Sequence, residues 1–167
     1  MSGEPGAFRL IVEDSATRMV RLAARMLGNV TDAEDLVQEA FMRAHRALLE
    51  RQFDGRASVN TWLHRIVSNL AVDQLRSKKR RGPAVEASDE MMGEDGNSAE
   101  ARLALRELDE WMNDLPPEQR VALVLSAFEG FSNGEIAGMM NCTEGSVEQR
   151  LVRARATLRH IRGLEHD

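Results

Sequence analysis

Residues 132–162 constrain the fold most strongly, because they predict a short helix, a tight turn and a longer arginine-rich helix. The short helix begins with Ser132 and Glu135 at the S-x-x-E spacing of a capping box, in which each side chain accepts a hydrogen bond from a backbone N–H of the first turn. Asn141 tolerates the left-handed conformation that ends a helix, and the hydroxyl of Thr143 can cap the next one. This order of elements is typical of a protein that binds duplex DNA.

The longer helix of this pair is expected to bury one stripe and to expose arginines on its other faces. Its apolar residues recur at alternating intervals of four and three, which predicts a single buried stripe of Val147, Leu151, Ala154, Leu158 and Ile161. The whole chain has a formal net charge of -5, so this basic helix is a local feature. Locally concentrated positive charge favours contact with the phosphates of DNA.

The composition indicates a globular protein built of helices. The chain has 167 residues, of which 43% are hydrophobic and 29% charged, enough for one domain or two small ones. It has no apolar run of membrane-spanning length and no signal-peptide pattern, so we expect a cytoplasmic protein without membrane insertion. The single cysteine, Cys142, fits a reducing compartment and is expected to fill a small core position in the turn.

None of the periodic segments that precede the helix-turn-helix alternates with the period of two that a strand requires. The predicted fold class is therefore all-α. The first helix is expected to run from about Gly6 to Leu27, with Gly28 as its C-terminal cap. A capping box of Thr31 and Glu34 is expected to begin the second helix, and the third is expected to begin at Ser58.

Charge is distributed unevenly along the chain. Residues 56–81 contain seven Arg or Lys against the single Asp73, whereas residues 82–98 contain five acidic residues and no basic one. The acidic stretch has little periodicity and therefore predicts a flexible linker. The expected organisation is two small helical domains joined by this linker: a first domain at 1–81, the linker at 82–97, and a second domain with the helix-turn-helix at 98–167.

Two further helices are predicted between the linker and the helix-turn-helix. Asn97 and Glu100 have capping spacing and are expected to begin the first of them. Pro116-Pro117 is expected to begin the second, since proline is tolerated in a first turn, and Phe128 is expected to lie in its core.

Signals for catalysis or metal binding are weak in this sequence. The CxxC pair, the Gly-rich phosphate loop and the nucleophile elbow are all missing. The histidines are scattered, and each is expected at the surface or at a helix end: His45, His64, His160 and His166. The carboxylates of residues 32–39 are spaced so that they could chelate a cation, but no histidine lies beside them, and helix capping explains Asp32 and Glu34. The sequence thus predicts no enzyme, no metal site and no cofactor.

From end to end, the chain resembles the extracytoplasmic-function (ECF) sigma factors of bacterial RNA polymerase, which are members of the sigma-70 family. DAEDLVQEAFMRAHRAL at 32–48 is similar to the family's polymerase-clamp-binding helix, and SVNTWLHRIVSNLAVDQLRSKKRR at 58–81 is similar to its melting and downstream-element segment. LPPEQRVALVLSAFEGFSNGEIAGMM at 115–140 and GSVEQRLVRAR at 145–155 are similar to its upstream-element domain. The resemblance implies a promoter-specificity subunit with sigma region 2 in the first domain and region 4 in the second. Its implied partners are core RNA polymerase, promoter DNA and an anti-sigma protein.

The resemblance also implies which residues make each contact. Polymerase would be bound by Asp32, Glu34, Asp35, Gln38, Glu39 and Phe41. The downstream element would be bound and melted by Phe53, Arg56, Trp62, Arg65, Asn69, Arg76, Lys78, Lys79, Arg80 and Arg81. The upstream element would be bound by Glu148, Gln149, Arg150, Val152, Arg153 and Arg155.

Strand opening requires positive charge for phosphates, an apolar or aromatic wedge and a pocket for an extruded base, and residues 53–81 contain side chains suited to all three tasks. By resemblance, Phe53 and the loop to Arg56 would help to form the pocket, and Asn69 would bond the edge of the flipped base. The alternative for Trp62 is that it is a packing residue, and helical spacing favours that interpretation.

Two departures from the family pattern are visible. The first helix begins close to the N-terminus, so a short leading helix common in the family is expected to be missing, and Glu148 stands where the family often has a basic residue. The rival function is a stand-alone helix-turn-helix regulator that binds an operator as a dimer. In that rival, the acidic residues 32–39 and the basic segment 56–81 would have no role. Because the net charge is negative, we expect tight DNA binding only together with polymerase.

Overall fold

The computed structural model describes residues 5–82 and 99–164, and the regular secondary structure of both ranges is α-helix alone. The helices, in chain order, are α1 Pro5–Leu27, α2 Val30–Leu49, α3 Val59–Arg81, α4 Ala99–Met112, α5 Pro117–Ala127, α6 Asn133–Met140 and α7 Glu144–Leu164. The predicted all-α fold class is confirmed. Most of the predicted acidic linker, and Asn97 as the predicted cap of α4, lie outside the described residues.

Helices α1, α2 and α3 form an N-terminal unit around one apolar core. Each helix contributes the stripe that its spacing of three and four residues predicts. The buried side chains of this core include Met19, Leu22, Met26, Leu36, Val37, Ala40, Leu63 and Val67. Phe8 and Phe41 are only partly buried, and their rings meet edge to face with centroids 6.5 Å apart.

Helix α2 begins immediately after Asn29, so the predicted capping box of Thr31 and Glu34 is wrong. Gly28 follows the last residue of α1 with φ +76°, as predicted, and Gly28 and Asn29 are the two residues between the helices. The Asn29 side chain accepts a hydrogen bond from the backbone N–H of Asp32 at 2.9 Å. Asparagine caps at least as well as threonine, and its position two residues earlier starts the helix before Thr31 is reached.

Helix α3 begins at its predicted cap. Ser58 Oγ accepts a hydrogen bond from the backbone N–H of Thr61 at 3.1 Å. In the C-terminal half, Pro116 precedes the first residue of α5, which is itself a proline, as the sequence predicted. Phe128 was expected in the core but is 45% exposed, because α5 ends at Ala127 and the ring follows its last turn on the outer side.

Helices α6 and α7 form the predicted helix-turn-helix. Ser132 Oγ accepts from the backbone N–H of Glu135 at 3.2 Å, and Glu135 Oε1 accepts from that of Ser132 at 3.1 Å, so both bonds of the capping box are present. Asn141 ends α6 in the left-handed conformation, with φ 52° and ψ 53°. Thr143 Oγ1 then accepts from the backbone N–H of Ser146 at 3.1 Å and caps α7.

The four C-terminal helices form a second unit that packs directly on the first. Helices α5 and α6 lie against α3, while α4 and α5 lie against α1. Buried side chains from both units belong to one apolar cluster. We call this arrangement of the two units the closed packing.

Candidate nucleic-acid interface

Helix α7, the second helix of the helix-turn-helix, exposes a polar face near its N-terminus. Val147, Leu151 and Ala154 are buried against the rest of the C-terminal unit. The faces between them are exposed and contain most of the side chains predicted to meet the upstream element: Glu148, Gln149, Val152, Arg153 and Arg155. Val152 is 56% exposed, which is unusual for a valine on a packed helix and leaves its methyl groups available to a partner. An apolar side chain on this face can contact the methyl group of thymine.

Arg150 differs from the other predicted side chains of α7, because it points back towards the turn. It is half-buried, and its Nη1 donates to Cys142 Sγ at 3.4 Å and approaches Met140 Sδ at 4.0 Å. Cys142 is half-buried beside the core, close to the position expected from the sequence. Arg150 therefore holds the start of α7 against the turn, a contact that the sequence did not predict.

One face of α3 presents the side chains predicted for the downstream element. Trp62, Arg65, Asn69 and Arg76 are separated by three, four and seven residues and so share a face of the helix. Arg65 and Asn69 are exposed, while Trp62 is partly buried against the core. The indole of Trp62 meets the ring of Phe53 with centroids 4.7 Å apart. The structure thus brings together two aromatic residues predicted for melting, and Trp62 also packs, as the alternative proposed.

The loop before α3 is a compact turn. Asp54 Oδ1 accepts from the backbone N–H of Arg56 at 3.0 Å, and Gly55 between them has φ +74°. The Arg56 guanidinium lies 3.4 Å from the same carboxylate but is 90% exposed, so this ion pair is weak and easily exchanged for another anion. The turn places Phe53 beside Trp62 and leaves Arg56 at the protein surface.

The C-terminal end of α3 is basic and exposed. Lys78, Lys79, Arg80 and Arg81 fill its last turn, where cations also interact favourably with the helix dipole. A shallow groove beside this turn is lined by Asp73, Arg76, Lys79, Arg80 and Pro117. It lies where the end of α3 meets the start of α5.

Arg76 differs from its basic neighbours, because its guanidinium donates a hydrogen bond to the carboxylate of Glu118 in the first turn of α5. Burial disfavours the charged form of Glu118. Hydrogen bonds from its own backbone N–H and from Arg76, together with the charges of Arg76 and Arg150, outweigh that effect and lower the pKa of Glu118 below its ordinary value of 4.5. A residue predicted to contact DNA is therefore engaged by a carboxylate of the C-terminal unit.

The acidic face predicted to bind polymerase is formed by α2. Glu34, Asp35 and Gln38 are exposed, whereas Asp32 and Glu39 are half-buried. Glu39 accepts a hydrogen bond from Arg43 Nε at 3.0 Å, one helical turn later. Phe41 packs on Phe8 and presents only part of its ring. The face keeps a net negative charge at Glu34 and Asp35 and borders a partly exposed aromatic ring.

Several functional candidates come from contacts between the two units, which the sequence did not reveal. His64 was expected at the surface but is buried: its Nδ1 lies 2.7 Å from the carbonyl of Asn60, and its Nε2 lies 3.5 Å from Glu129 Oε2. Glu129 also lies 3.8 Å from Arg25 Nη1. No local pattern could predict the contacts of Glu129 with His64 and Arg25, because each joins residues more than 60 positions apart.

Within residues 5–82 and 99–164, no three His, Cys, Asp or Glu side chains are grouped so that they could hold a metal ion. None of the helices in those ranges combines the length and hydropathy that crossing a membrane requires. The surfaces described above are therefore the candidates for function within the described residues.

Comparison with protein families gives two matches in chain order. Residues 11–81 match the family model for Sigma-70 region 2, and residues 105–158 match that for Sigma-70, region 4. Among curated relatives, the ECF RNA polymerase sigma factor SigW of Bacillus subtilis (strain 168) is 31% identical over 94% of this chain and 89% of its own.

Two solved structures share the fold. CnrH, determined in complex with the cytosolic domain of CnrY, superposes with a TM-score of 0.71 at 28% identity, covering 99% of this chain and 92% of that one. The sigma factor RpoE from Bartonella quintana, determined in complex with the anti-sigma factor NepR, superposes with a TM-score of 0.70 at 24% identity, covering 92% and 95%.

Proposed function

Because this chain belongs to the ECF sigma factors of the sigma-70 family, we propose that its two matched segments bind different parts of a promoter while the protein is held on RNA polymerase. As a sigma factor, the protein binds core polymerase and directs it to promoters. We propose residues 1–81 as the region 2 domain and residues 98–167 as the region 4 domain. The observation that most supports this division is that each matched segment has an exposed helix face with arginines and other polar side chains suited to DNA. One face is on α3 and the other is on α7.

For the downstream element, we propose that the α3 face binds and opens DNA. Arg65 and the basic last turn supply charge for phosphates, and the Phe53–Trp62 pair supplies an aromatic surface for an unstacked base. Asn69 lies one turn after Arg65 on the same face and can bond the edge of that base. The Phe53 loop, with Arg56 at the surface, would form one wall of the base pocket.

For the upstream element, we propose that the first turns of α7 enter the major groove. Glu148, Gln149 and Val152 would then face bases, with Arg153 and Arg155 towards phosphates. Arg150 supports this interface through its contact with the turn, so its role would be to position α7. The chain itself would catalyse no reaction, since the polymerase performs the chemistry.

For the polymerase, we propose the acidic face of α2 as a docking surface for a basic element of the enzyme. Glu34 and Asp35 are exposed and have no cation from the same helix turn beside them in the sequence, while Glu39 already pairs with Arg43. Phe41 would add an apolar contact at the edge of this surface. A cytoplasmic location would follow from action on polymerase.

We further infer that an anti-sigma protein controls this chain. The support is that the Bartonella quintana sigma factor with the same fold was determined together with an anti-sigma factor.

Size-exclusion chromatography with core polymerase tests the docking surface. Asp35→Arg should prevent co-elution while α2 stays folded, because an exposed charge of this kind contributes at most about 1 kcal/mol to a helix. Asp14→Arg, on the exposed side of α1, makes the same change of charge and should co-elute normally. Equal co-elution of both variants would disprove the assignment of this surface.

A further inference from the structure

Two carboxylates of the C-terminal unit lie against side chains of α3, one near each end of that helix. Glu118, in the first turn of α5, pairs with Arg76 near the end of α3. Glu129, just after α5, meets His64 near the start of α3. The end of one segment therefore meets the start of the other, which makes the two segments antiparallel.

The spacing of these charges matches between the two segments. His64 and Arg76 are separated by about 18 Å along α3, and Glu118 and Glu129 by about 16 Å along α5 and its last turn, at 1.5 Å per helical residue. Both contacts, Arg76 with Glu118 and His64 with Glu129, can therefore form at once without bending either helix. The segment from Glu118 to Glu129 therefore contacts α3 at two points, and we call this segment the acidic strap.

The Glu129 end of the strap is sheltered from water. His64 is 3% exposed, and both its ring nitrogens face acceptors, the carbonyl of Asn60 and the carboxylate of Glu129. Arg25 approaches the same carboxylate and lies over the ring of Phe128, with its guanidinium carbon 4.9 Å from the ring centroid. The ring of Phe131 meets His64 edge to face at 5.0 Å. Sheltered charges are screened less by salt than fully exposed ones.

The Glu118 end of the strap lies on the predicted DNA-binding face. Arg76 is in the α3 stripe that contains Trp62, Arg65 and Asn69, and its planar guanidinium recognises carboxylates and phosphates by the same geometry. While Glu118 occupies Arg76, a phosphate cannot take the same donors. Pro117 also covers one side of the groove beside Asp73 and Arg80.

We propose that the closed packing is an autoinhibited state, in which α5 acts as an acidic strap that competes with promoter DNA for α3. Its two contacting carboxylates are those of Glu118, in α5, and Glu129, just after it. When both leave α3, Arg76 becomes exposed and the region 4 domain separates from the region 2 domain. The recognition face of α7 stays exposed in the closed state, so inhibition acts on the downstream contact. The inhibitory role of the strap rests on the proposed function. The equilibrium between a closed and an open form of the protein does not.

The test uses the full-length chain and the double variant Glu118→Gln/Glu129→Gln. Its control is Glu107→Gln/Glu110→Gln, which removes the same charge from exposed positions on α4. Small-angle X-ray scattering measures the radius of gyration, and fluorescence anisotropy measures affinity for a labelled single-stranded oligothymidine at low salt. Circular dichroism checks that helicity is retained.

The strap variant should be more expanded than the wild type and should bind the oligonucleotide about fivefold or more tightly, because the apparent affinity of a masked site is reduced by the fraction of molecules in which it is open. The control should match the wild type in size and change affinity less than twofold. An unchanged radius of gyration, or a gain in affinity equal to that of the control, would overturn the proposal.

A charge exchange provides an independent check on Arg76 and Glu118. Glu118→Arg alone should expand the protein, and adding Arg76→Glu should restore the compact form, since the pair is then rebuilt with its charges reversed. Failure of the second change to restore compactness would also overturn the strap. The two proposals can fail separately. If the variants change size and affinity as expected but the protein does not support transcription by core polymerase, the proposed function is wrong and the closed–open equilibrium is still supported.

Discussion

The carboxylate of Asp109 on α4 lies against Gly28, in the space that a Cβ at position 28 would occupy. The same carboxylate accepts a hydrogen bond from Arg120 Nη2 at 2.7 Å, and the Arg120 side chain is almost completely buried. Gly28 thus serves two purposes. It ends α1 in a left-handed conformation, and its missing side chain lets the C-terminal unit approach α1 closely enough to keep Arg120 paired.

Gly28→Ala should therefore destabilise the protein more than Gly130→Ala. Gly28 has φ +76° and Gly130 has φ +71°, so both substitutions place alanine at a positive φ, at a cost of roughly 1–2 kcal/mol. A Cβ at position 130 has no neighbour within 4 Å, whereas one at position 28 displaces Asp109. Loss of a partner for buried Arg120 adds a further cost of about 1–3 kcal/mol. Urea denaturation of the two variants measures the difference, and equal losses would show that Asp109 does not constrain the packing.

Acidification should weaken the closed packing through Glu118. A carboxyl group whose pKa is lower in the folded than in the unfolded state stabilises the fold fully above the unfolded pKa, and this contribution is lost as the pH falls through the folded pKa. The pKa of Glu118 is lowered in this way, since its hydrogen bonds and the nearby arginines outweigh the effect of burial. The urea midpoint of the wild type should thus fall more steeply below about pH 5 than that of Glu118→Gln.

Glu135 adds an effect of the same sign. Hydrogen bonds from the backbone and the side chain of Ser132 lower the pKa of its carboxyl group. Glu118→Gln should therefore keep part of the acid sensitivity. If the wild type and Glu118→Gln lose stability in parallel as the pH falls, the Arg76–Glu118 pair contributes nothing to folding.

Asn69→Ala should impair the opening of duplex promoters while leaving polymerase binding intact. The side chain is exposed on the α3 face, and a lost base contact costs about 1–3 kcal/mol only where that base is bound. Permanganate footprinting of open complexes measures the defect, and a premelted template should reduce it. Asn113→Ala, at an exposed position between α4 and α5, is the matched control. Normal opening of duplex by the Asn69 variant would place the base pocket elsewhere.

Glu148→Arg should change promoter preference at one base pair. A carboxylate can accept from the amino group of cytosine but cannot bond the acceptors of guanine, so reversal of its charge should shift preference by about 1–3 kcal/mol if the contact is direct. Arg153→Ala should instead weaken binding to all sequences similarly and reduce the salt dependence. A selection from a promoter library with holoenzyme distinguishes the two. A uniform loss of affinity for Glu148→Arg would make Glu148 only a charge at the helix start.

Much of the fold could be predicted from the sequence, because local rules determine it. Ser132, Glu135, Asn141 and Thr143 act within a few residues of one another, and their hydrogen bonds are those that their spacing predicts. The error at Thr31 has a local cause too. Asn29 lies two residues earlier and is an equally good cap, so the sequence is compatible with two starting points for the helix.

The contacts between units could not be predicted in this way. Arg76 and Glu118 are 42 residues apart, and their pairing depends on how the C-terminal unit packs on the N-terminal unit. His64 has the spacing of an ordinary helical residue, yet it is buried, and the ring of Phe131, from the segment between α5 and α6, packs edge to face against it. The exposure of a predicted DNA-binding residue also depends on the folded structure around it. Arg150, for example, is half-buried because its guanidinium lies against Cys142 in the turn.

Run-off transcription distinguishes a polymerase-dependent promoter-specificity subunit from a stand-alone regulator. Every reaction contains a promoter selected with the holoenzyme, and to it is added core polymerase alone, this protein alone, or both. A specific transcript should form only when both proteins are present, and it should be lost when Asp35→Arg replaces the wild type. A specific promoter complex formed by the protein without polymerase, with no transcript in the combined reaction, would contradict this function and favour a stand-alone regulator.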